Sequence, residues 1–570
     1  MVSRNRPSTQ TSLPGTSAIG RVLVLGLDGA TFDLLGPWIE EGRLPTLERL
    51  IREGAAGELR SVVPPLSSAA WASFATGKNP GKHGLFDFVF PGPNSYEVSI
   101  AGSQTNASKA VWEILSDYDK KVGIVGVPMT YPPREVNGFM ISSFMTPTPK
   151  SNYTYPTSLK NELSNKGLPF RPTLRETHRS GNVGKFLKEV ALSTQERVES
   201  VLYLLQEKEW DLFCFVFLSP DLLQHELWRI LDSRHPRHKP KEAEQYKGAI
   251  CDFYTRLDGY IAEIIRTVGE DVLVILMSDH GFGPATHFFH VNNWLMREGF
   301  LVRKRNIPST VKYLLFRLGL TPMNSFRALT LLKLGWLRQY LRFGRKYGQA
   351  RYLYFSFNDI DWSKTKAFSV GNWGQIYINL KGKRPKGIVE PGRECESLKE
   401  NIVDRLLDLR HPNTGEKIIQ RVINAEEVYS GNRHDLGPDL IPLTKDLEYV
   451  SFGTSDFGSN RIIEPIYGMS GYHRTNGVLI MSGKHVRLGA ALNGAVIIDL
   501  APTILYALGV PIPSDMDGKV LTDAFAPDFL ASNAPTYSDA PSSREAYQEG
   551  YSEEDEKRVK ERLRGMGYYG

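Results

Sequence analysis

The sequence predicts an α/β fold in which a doubly wound, mostly parallel central sheet carries helices on both faces. Apolar segments that end in turn-forming or acidic residues recur along the 570-residue chain, as expected for strands buried on both faces. Amphipathic helical patterns separate these segments, and strands that alternate with helices form parallel sheets. A basic stretch at residues 301–357 interrupts the alternation and predicts a helical insertion.

The predicted strands and helices follow in chain order. The first strand lies within residues 21–30, RVLVLGLDGA, and Pro45 begins a helix that comes after it. Further strands are predicted at 121–128, 211–218 and 271–279, long helices at 183–208 and 242–269, and the α/β pattern resumes at 367–380 and ends near 499–510. Functional groups in such sheets gather at the C-terminal ends of the strands, so we expect a site there.

Four regions are predicted from these patterns. They are a disordered leader at residues 1–20, a discontinuous main domain at 21–300 and 358–525, the basic helical insertion at 301–357, and a linker with a C-terminal helix at 526–570. The leader is rich in Ser, Thr and Pro and lacks the apolar centre of a secretory signal. In the last region, Ser552 is predicted to cap a helix that is acidic at its start and basic at its end.

The composition excludes several classes of protein. Hydrophobic residues make up 41% and charged residues 23% of the chain, as in soluble globular proteins. Three cysteines without a CxxC pair argue against a disulfide framework and a cysteine zinc site. No segment has the ~20 consecutive apolar residues of a membrane-spanning helix. The net charge of +6 by itself says little about partners, and no specific nucleic-acid binding is expected. We therefore expect a reducing, cytoplasmic location.

Acidic and imidazole side chains collect where the predicted strands end. They are Asp28 after the first strand, Asp221 and His225 after the strand at 211–218, Asp279 and His280 after the strand at 271–279, and His473 in a loop before the apolar segment 477–481. Each alone has an ordinary alternative, because an Asp after a strand is commonly a turn residue and a lone His a surface residue. Together, three Asp and three His predict two adjacent sites for divalent cations, zinc or alternatively manganese.

A serine nucleophile is predicted in the segment 62–84. Ser67 or Ser68 begins an Ala-rich helix, where the helix dipole favours a phosphoryl oxygen. Coordination to a metal would lower the pKa of the hydroxyl and supply an alkoxide. The alternative is that both serines are ordinary helix caps, which most serines before helices are.

These motifs resemble those of the alkaline phosphatase superfamily, and most closely its type I phosphodiesterase/nucleotide pyrophosphatase branch. LGLDGA, a Ser before a helix that ends in TGKNPGKHG, D-x-x-x-H, S-D-H-G and a late GYHR stand here in the order of that family. The segment 499–521 is also similar to the family's C-terminal helix and turn. The resemblance covers residues 21–525 except for the basic insertion, and it implies an alkaline phosphatase-like catalytic domain.

The resemblance also implies a role for each candidate residue. Asp28, Asp279 and His280, with the Ser67 oxygen, would hold one metal ion, and Asp221, His225 and His473 would hold the other. Counting back from TGKNPGKHG places the nucleophile on Ser67 rather than Ser68. The implied reaction is in-line attack by Ser67 on phosphorus, a covalent phosphoryl-serine, and hydrolysis by water.

Departures from the family pattern narrow the range of substrates that we expect. Phe88 stands where nucleotide pyrophosphatases have an Asn that contacts the phosphate, which argues against nucleotide diesters. The sulfatase motif C/S-x-P-x-R is absent around Ser67. Lys78, Lys82 and Arg474 lie within the motifs, either as phosphate-binding cations or as ordinary surface cations.

The basic insertion at 301–357 has twelve Lys or Arg and no Asp or Glu. It is interpreted as a substrate cap, a polyanion-binding patch or a helix pair on an anionic membrane. Such a region suits a large anionic or lipid-linked substrate and peripheral membrane contact. His287 and His290, just before it, are either near the site or ordinary loop residues.

The leading functional prediction is a metal-dependent phosphodiesterase. The alternatives of the same fold are a phosphomonoesterase and a phosphonate hydrolase, since specificity depends on the cap. The alternatives outside catalysis are a metal-binding protein that has lost turnover and a membrane-surface adaptor that acts through the insertion.

Overall fold

A computed structural model describes residues 19–92, 95–173, 182–331, 354–455, 457–544 and 551–566. Residues 1–18 of the predicted leader and residues 332–353 of the predicted insertion lie outside the described residues. Ile19, placed in the leader by the sequence, is buried, and its N–H donates to the Ala507 carbonyl.

The strands are named in chain order. They are β1 (Arg21–Leu27), β2 (Ala55–Arg60), β3 (Val89–Pro91), β4 (Val98–Ile100), β5 (Val122–Val125), β6 (Gly138–Ile141), β7 (Thr154–Tyr155), β8 (Leu212–Phe217), β9 (Val272–Met277), β10 (Gly281–Pro284), β11 (His287–His290), β12 (Ala367–Ser369), β13 (Ile376–Ile378), β14 (Ile419–Asn424), β15 (Leu440–Thr444), β16 (Tyr449–Phe452), β17 (Ile463–Pro465), β18 (Gly471–Arg474), β19 (Asn476–Ser482), β20 (Ala490–Ala491), β21 (Ala495–Val496), β22 (Ile512–Pro513) and β23 (Tyr537–Ser538).

The helices are named in the same way. They are α1 (Phe32–Glu40), α2 (Pro45–Arg52), α3 (Ser67–Thr76), α4 (Pro80–His83), α5 (Val111–Asp117), α6 (Leu159–Asn165), α7 (Val183–Glu207), α8 (Ser219–Leu231), α9 (Pro240–Val268), α10 (Val291–Arg297), α11 (Ile307–Arg317), α12 (Pro322–Leu331), α13 (Arg393–Leu407), α14 (Leu500–Ala507), α15 (Pro527–Ser532) and α16 (Glu553–Met566). Among the described residues, none of the helices combines the length and apolar character needed to cross a bilayer.

The central sheet of the described chain has the order β20-β2-β19-β9-β1-β8-β5-β6-β7, with β21 paired to β2. The strands β9, β1, β8, β5 and β6 run parallel to one another. Strand β19 is antiparallel to β2 and β9, and β7 is an antiparallel edge strand. The predicted mostly parallel sheet is therefore confirmed.

Helices cover both faces of this sheet. Along β1, Val22 and Val24 belong to one apolar core, and Leu23, Leu25 and Leu27 belong to the core on the opposite face. A strand buried on both faces has no polar alternation, which is why its sequence is continuously apolar. The first core contains α3, α5 and α14, and the second contains α2, α7 and α9.

Two segments differ from the sequence-based expectation. Residues 367–380 were expected to continue the α/β pattern, but β12 and β13 belong to a separate sheet of order β12-β13-β15-β14. His473 was expected in a loop, but it lies in β18, which pairs antiparallel with β10. The partner of β18 lies nearly 200 residues away in the sequence, so a local pattern of four residues could not indicate this pairing.

The C-terminal region predicted as a linker and a helix packs on the main domain. Strand β23 pairs with β22, and Arg544 forms an ion pair with Glu113. Helix α16 buries Val559 and Leu563. Ser552 Oγ accepts from the Asp555 N–H at 3.2 Å, as its predicted capping role requires.

Candidate metal centre and active site

The order of the sheet brings the predicted acidic ligands to one edge. Strands β9, β1 and β8 are parallel neighbours, so their C-terminal ends lie side by side. Asp28 follows β1, Asp279 follows β9, and Asp221 lies in the first turn of α8 after β8. All three carboxylates are buried. The site therefore lies where a parallel α/β sheet is expected to have one.

The first group of candidate ligands consists of Asp28, Asp279 and His280. The His280 Nε2 atom lies 3.6 Å from Asp28 Oδ1 and 3.4 Å from Asp279 Oδ2. Within the described chain, neither of these buried oxygens has a hydrogen-bond partner. Buried carboxylate oxygens that lack donors are expensive unless a cation binds them.

The second group consists of Asp221, His225 and His473. Asp221 Oδ1 lies 3.3 Å from His225 Nε2 and 3.4 Å from His473 Nε2. The two Nε2 atoms are 3.1 Å apart. Asp221 and His225 share one face of α8 because they are four residues apart, as predicted.

Backbone carbonyls fix the tautomer of each candidate histidine. His225 Nδ1 lies 3.0 Å from the Gly471 carbonyl, and His473 Nδ1 lies 2.9 Å from the Pro65 carbonyl. His280 Nδ1 lies 3.0 Å from the carbonyl of the next residue. A carbonyl oxygen only accepts hydrogen bonds, so each Nδ1 carries the proton. Each Nε2 then carries a lone pair that can bind a metal ion. This is the arrangement of metal-binding imidazoles.

The protonation states agree with a cation site. Burial lowers the pKa of His473 to about 3 and also lowers the pKa of His280, so both rings are neutral at neutral pH. Burial and then the Asp221 charge raise the pKa of Asp279 to about 8. Burial and the Asp279 charge raise the pKa of Asp28. Crowded carboxylates of this kind are stabilised in the charged form by a cation.

The ligand distances fit zinc. Ligand atoms about 2.0–2.1 Å from a tetrahedral zinc ion lie about 3.3 Å from one another. The distances from each histidine Nε2 atom to the other ligand atoms of its group run from 3.1 to 3.6 Å. The His280 and His473 rings, one from each group, stack with centroids 3.7 Å apart. The structure thus places two potential metal sites side by side, with the predicted ligands in the predicted groups.

Ser67 lies beside the first group. It is the first residue of α3 and is buried, and its Oγ lies 3.1 Å from His280 Nε2. Leu66 is the N-cap residue, so Ser67 is not the cap that the alternative interpretation required. Ser68 Oγ is buried without a hydrogen-bond partner among the described residues. The helix N-terminus at Ser67 favours negative charge on a bound phosphoryl group.

Trp71 supports the first group and was missed in the sequence. Its indole N–H donates to Asp28 Oδ2 at 3.2 Å, which leaves Oδ1 directed at His280. The indole lies against β1 at Gly26, where an added Cβ would be 2.5 Å from the ring. The only indication in the sequence was a Trp one helical turn after Ser67.

Gly29 connects the two groups. Its N–H donates to Asp279 Oδ1 at 3.3 Å, and its carbonyl accepts from Gln224 in α8 at 2.8 Å. Its φ of +71° is unfavourable for other residues, and a Cβ would lie 3.3 Å from the Asp221 backbone. The backbone conformation and the close approach of α8 therefore both favour glycine after Asp28.

The candidate phosphate-binding cations have other partners. Lys78 forms an ion pair with Asp515, and Lys82 forms one with Asp517. Arg474 donates to backbone carbonyls, including that of Leu447. These contacts give the three cations structural roles.

The structure also places three further residues outside the ligand groups. His290 pairs with Glu464, and His287 stacks on Tyr449. Phe88 is buried and packs against Phe144. The position at which the family pattern has an Asn is thus part of the apolar core in this chain.

The model of the type I phosphodiesterase / nucleotide pyrophosphatase family matches residues 22–366, which is more than half of the chain. Among curated proteins, none matches this sequence.

Several solved structures are similar. Phosphonoacetate hydrolase from Sinorhizobium meliloti is 14% identical with a TM-score of 0.48, covering 86% of this chain and 96% of that one. Human ectonucleotide pyrophosphatase / phosphodiesterase 5 is 12% identical with a TM-score of 0.47, covering 88% and 97%. The alkaline phosphatase PafA is 14% identical with a TM-score of 0.49, covering 89% and 99%.

Proposed function

Because the chain belongs to the type I phosphodiesterase/nucleotide pyrophosphatase family and is thus a phosphoester hydrolase, we propose that it cleaves phosphate diesters with Ser67 as nucleophile. The observation that carries the proposal is that Ser67 Oγ lies 3.1 Å from a nitrogen of one ligand group, with the second group stacked beside it.

The proposed cofactors are two zinc ions, with manganese as the alternative. Asp28, Asp279 and His280 would hold one ion together with the Ser67 oxygen, and Asp221, His225 and His473 would hold the other. Bound there, the ions supply Lewis acidity that lowers the pKa of a hydroxyl and stabilises charge on the phosphoryl oxygens.

The chain's own residues carry the proposed reaction in two steps. Ser67 Oγ bonds to phosphorus and gives up its proton, and the bond from phosphorus to the leaving oxygen breaks, so that the leaving group departs as an alcohol that has taken up a proton. Water then attacks the phosphoryl-serine, the bond from phosphorus to Ser67 Oγ breaks, and Oγ regains a proton from the water, which releases a phosphate monoester. The N–H groups in the first turn of α3 stabilise negative charge on the phosphoryl group in both steps.

The proposed substrate is a large anionic or lipid-linked diester rather than a nucleotide. Phe88 is a core residue at the place of the family's phosphate-contacting Asn, which removes one polar contact to a nucleotide phosphate. The basic composition of residues 301–357 favours an anionic substrate. A phosphomonoester and a phosphonate are the alternatives within the same chemistry.

The experiment that tests the proposal is hydrolysis of bis-p-nitrophenyl phosphate and p-nitrophenyl phosphate by the zinc-loaded protein. Ser67→Ala is expected to lower the turnover of the diester by roughly a thousandfold or more, because it removes the proposed attacking oxygen. Ser68→Ala is the matched control, since it removes an adjacent buried hydroxyl and is expected to retain turnover.

Three outcomes decide between the candidates. Faster turnover of the diester than of the monoester supports a phosphodiesterase, and the reverse supports a phosphomonoesterase. Equal losses in both serine variants would show that Ser67 is not the nucleophile. A zinc-loaded protein that hydrolyses neither ester would favour the metal-binding protein without turnover.

A further inference from the structure

Helix α11 turns an apolar face outward. Ile307, Val311, Leu314 and Leu318 follow one another at intervals of three or four residues and therefore form a single stripe along the helix and its C-cap. Ile307 is 81% exposed and Leu318 is 84% exposed. Soluble proteins rarely expose contiguous apolar surface of this kind without a partner. We call these four residues the α11 stripe.

The opposite face of α11 already packs on the protein. Phe316 is buried against Phe355 and Phe457. Ser309 donates to Asp359 at 2.8 Å, and Lys312 lies 3.3 Å from the same carboxylate. These contacts fix the orientation of α11 about its axis. The α11 stripe, on the opposite face, is therefore directed away from the core.

Basic side chains border the stripe. Arg305 precedes the helix and is exposed, and Arg317 is exposed near its end. Lys304 is also exposed, but its ammonium donates to the Asn358 carbonyl at 2.8 Å. The sequence from 301 to 357 contains no acidic residue, and the Asp359 carboxylate, which contacts Ser309 and Lys312, lies on the packed side of the helix. An apolar stripe with a basic border matches the surface of an anionic membrane, where hydrocarbon lies under negatively charged headgroups.

We propose that the α11 stripe docks on an anionic lipid surface. The four apolar side chains enter the region between headgroups and acyl chains, and Arg305 and Arg317 contact the headgroups. A row of apolar side chains can enter a deformable bilayer, whereas nucleic acid has no hydrocarbon region to receive it. This inference rests on exposure and charge and does not require that the protein hydrolyses an ester.

The experiment is flotation of the full-length, zinc-loaded protein with lipid vesicles. One set of vesicles contains phosphatidylcholine alone, and the other contains phosphatidylcholine and phosphatidylglycerol in equal amounts. The protein is expected to float with the mixed vesicles only, and less well as salt is added. Ser67→Ala is expected to float equally, which separates this surface from the substrate site.

Paired variants test the two parts of the surface. The double variant Leu314→Gln/Leu318→Gln is expected to reduce binding roughly tenfold or more. Leu488→Gln is its control, because Leu488 is a 74% exposed leucine elsewhere. The double variant Arg305→Gln/Arg317→Gln is expected to weaken flotation with the mixed vesicles, the set that the wild type is expected to bind.

The control for the arginine pair is Lys241→Gln/Lys247→Gln, which neutralises two exposed cations on α9. Thermal unfolding midpoints near that of the wild type would show that all variants fold. Flotation that is absent, or unchanged in Leu314→Gln/Leu318→Gln, would overturn the proposal. So would a wild-type dimer that this variant converts to a monomer, because the stripe would then join two copies of the chain.

Discussion

Single hydrogen bonds decide which atom of four of the candidate ligands would face a metal ion. Carbonyls hold the Nδ1 atoms of the three histidines, and Trp71 holds one oxygen of Asp28. The ligands themselves could be predicted from the sequence because they stand in short motifs at strand ends. Their supporting partners could not, since a carbonyl such as that of Pro65 has no distinctive residue type.

The hydrogen bond from Trp71 gives the first prediction at this scale. Trp71→Phe removes the indole N–H and keeps an aromatic ring, so Asp28 loses its orientation. Zinc affinity of the first group is expected to fall roughly tenfold or more. Competition with a zinc-binding dye measures it. Trp112→Phe is the control, because Trp112 is also buried and lies in α5. Equal affinity in the two variants would contradict the role of Trp71.

The raised pKa of Asp279 gives the second prediction. In the metal-free protein this pKa is about 8, against an ordinary value of 3.8, because of burial and the Asp221 charge. The folded state therefore binds this proton more tightly than the unfolded state, and the free energy of unfolding falls as pH rises between these values. Asp279→Asn removes the titrating carboxyl and with it this dependence of stability on pH.

Chemical unfolding of the metal-free wild type and of metal-free Asp279→Asn, at about pH 5 and about pH 8, tests this pH dependence of stability. Relative to the wild type, Asp279→Asn is expected to gain stability at the higher pH. Zinc is expected to stabilise the wild type more than the variant. A stability difference that does not change with pH would rule out the stated cause.

At the scale of elements, the long strands and helices follow from the sequence, whereas most of the short ones do not. Strand β9 and helix α7 lie where their patterns predicted them. Strands β10 and β18 are four residues long and pair with each other across the sequence. They nevertheless position His280 and His473, because His280 directly precedes β10 and His473 lies within β18.

The close packing of β10 gives a prediction for this element. A Cβ at Gly281 would lie 1.9 Å from the Asn476 carbonyl, so the backbone of β10 or β19 must shift. Gly281→Ala is expected to lower the free energy of unfolding by about 2 kcal/mol or more and to weaken zinc binding. Thermal unfolding with and without zinc measures both effects.

The control is Gly248→Ala in the exposed part of α9, where an added Cβ meets nothing within 4 Å. Alanine is the better helix former, so this variant is expected to gain up to about 1 kcal/mol. If Gly281→Ala were as stable as the wild type and bound zinc as tightly, β10 would not be what fixes the site.

At the scale of the whole molecule, one sheet edge collects residues that are far apart in the sequence. The parallel neighbours β9, β1 and β8 place the three Asp together, and β18 adds His473. Sequence patterns predicted the parallel sheet because its strands are continuously apolar. They could not predict the separate sheet of β12 to β15 or the outward direction of the α11 stripe, since both depend on contacts between distant segments.

The central claim is that phosphodiester hydrolysis requires both ligand groups to hold a metal ion. The most direct measurement is a titration of zinc into the metal-free protein while the rate of bis-p-nitrophenyl phosphate hydrolysis is followed. The rate is expected to reach its plateau at two equivalents of zinc per chain and to be absent in Ser67→Ala at every ratio. A plateau at one equivalent, or hydrolysis that persists in the metal-free protein, would contradict the two-metal site.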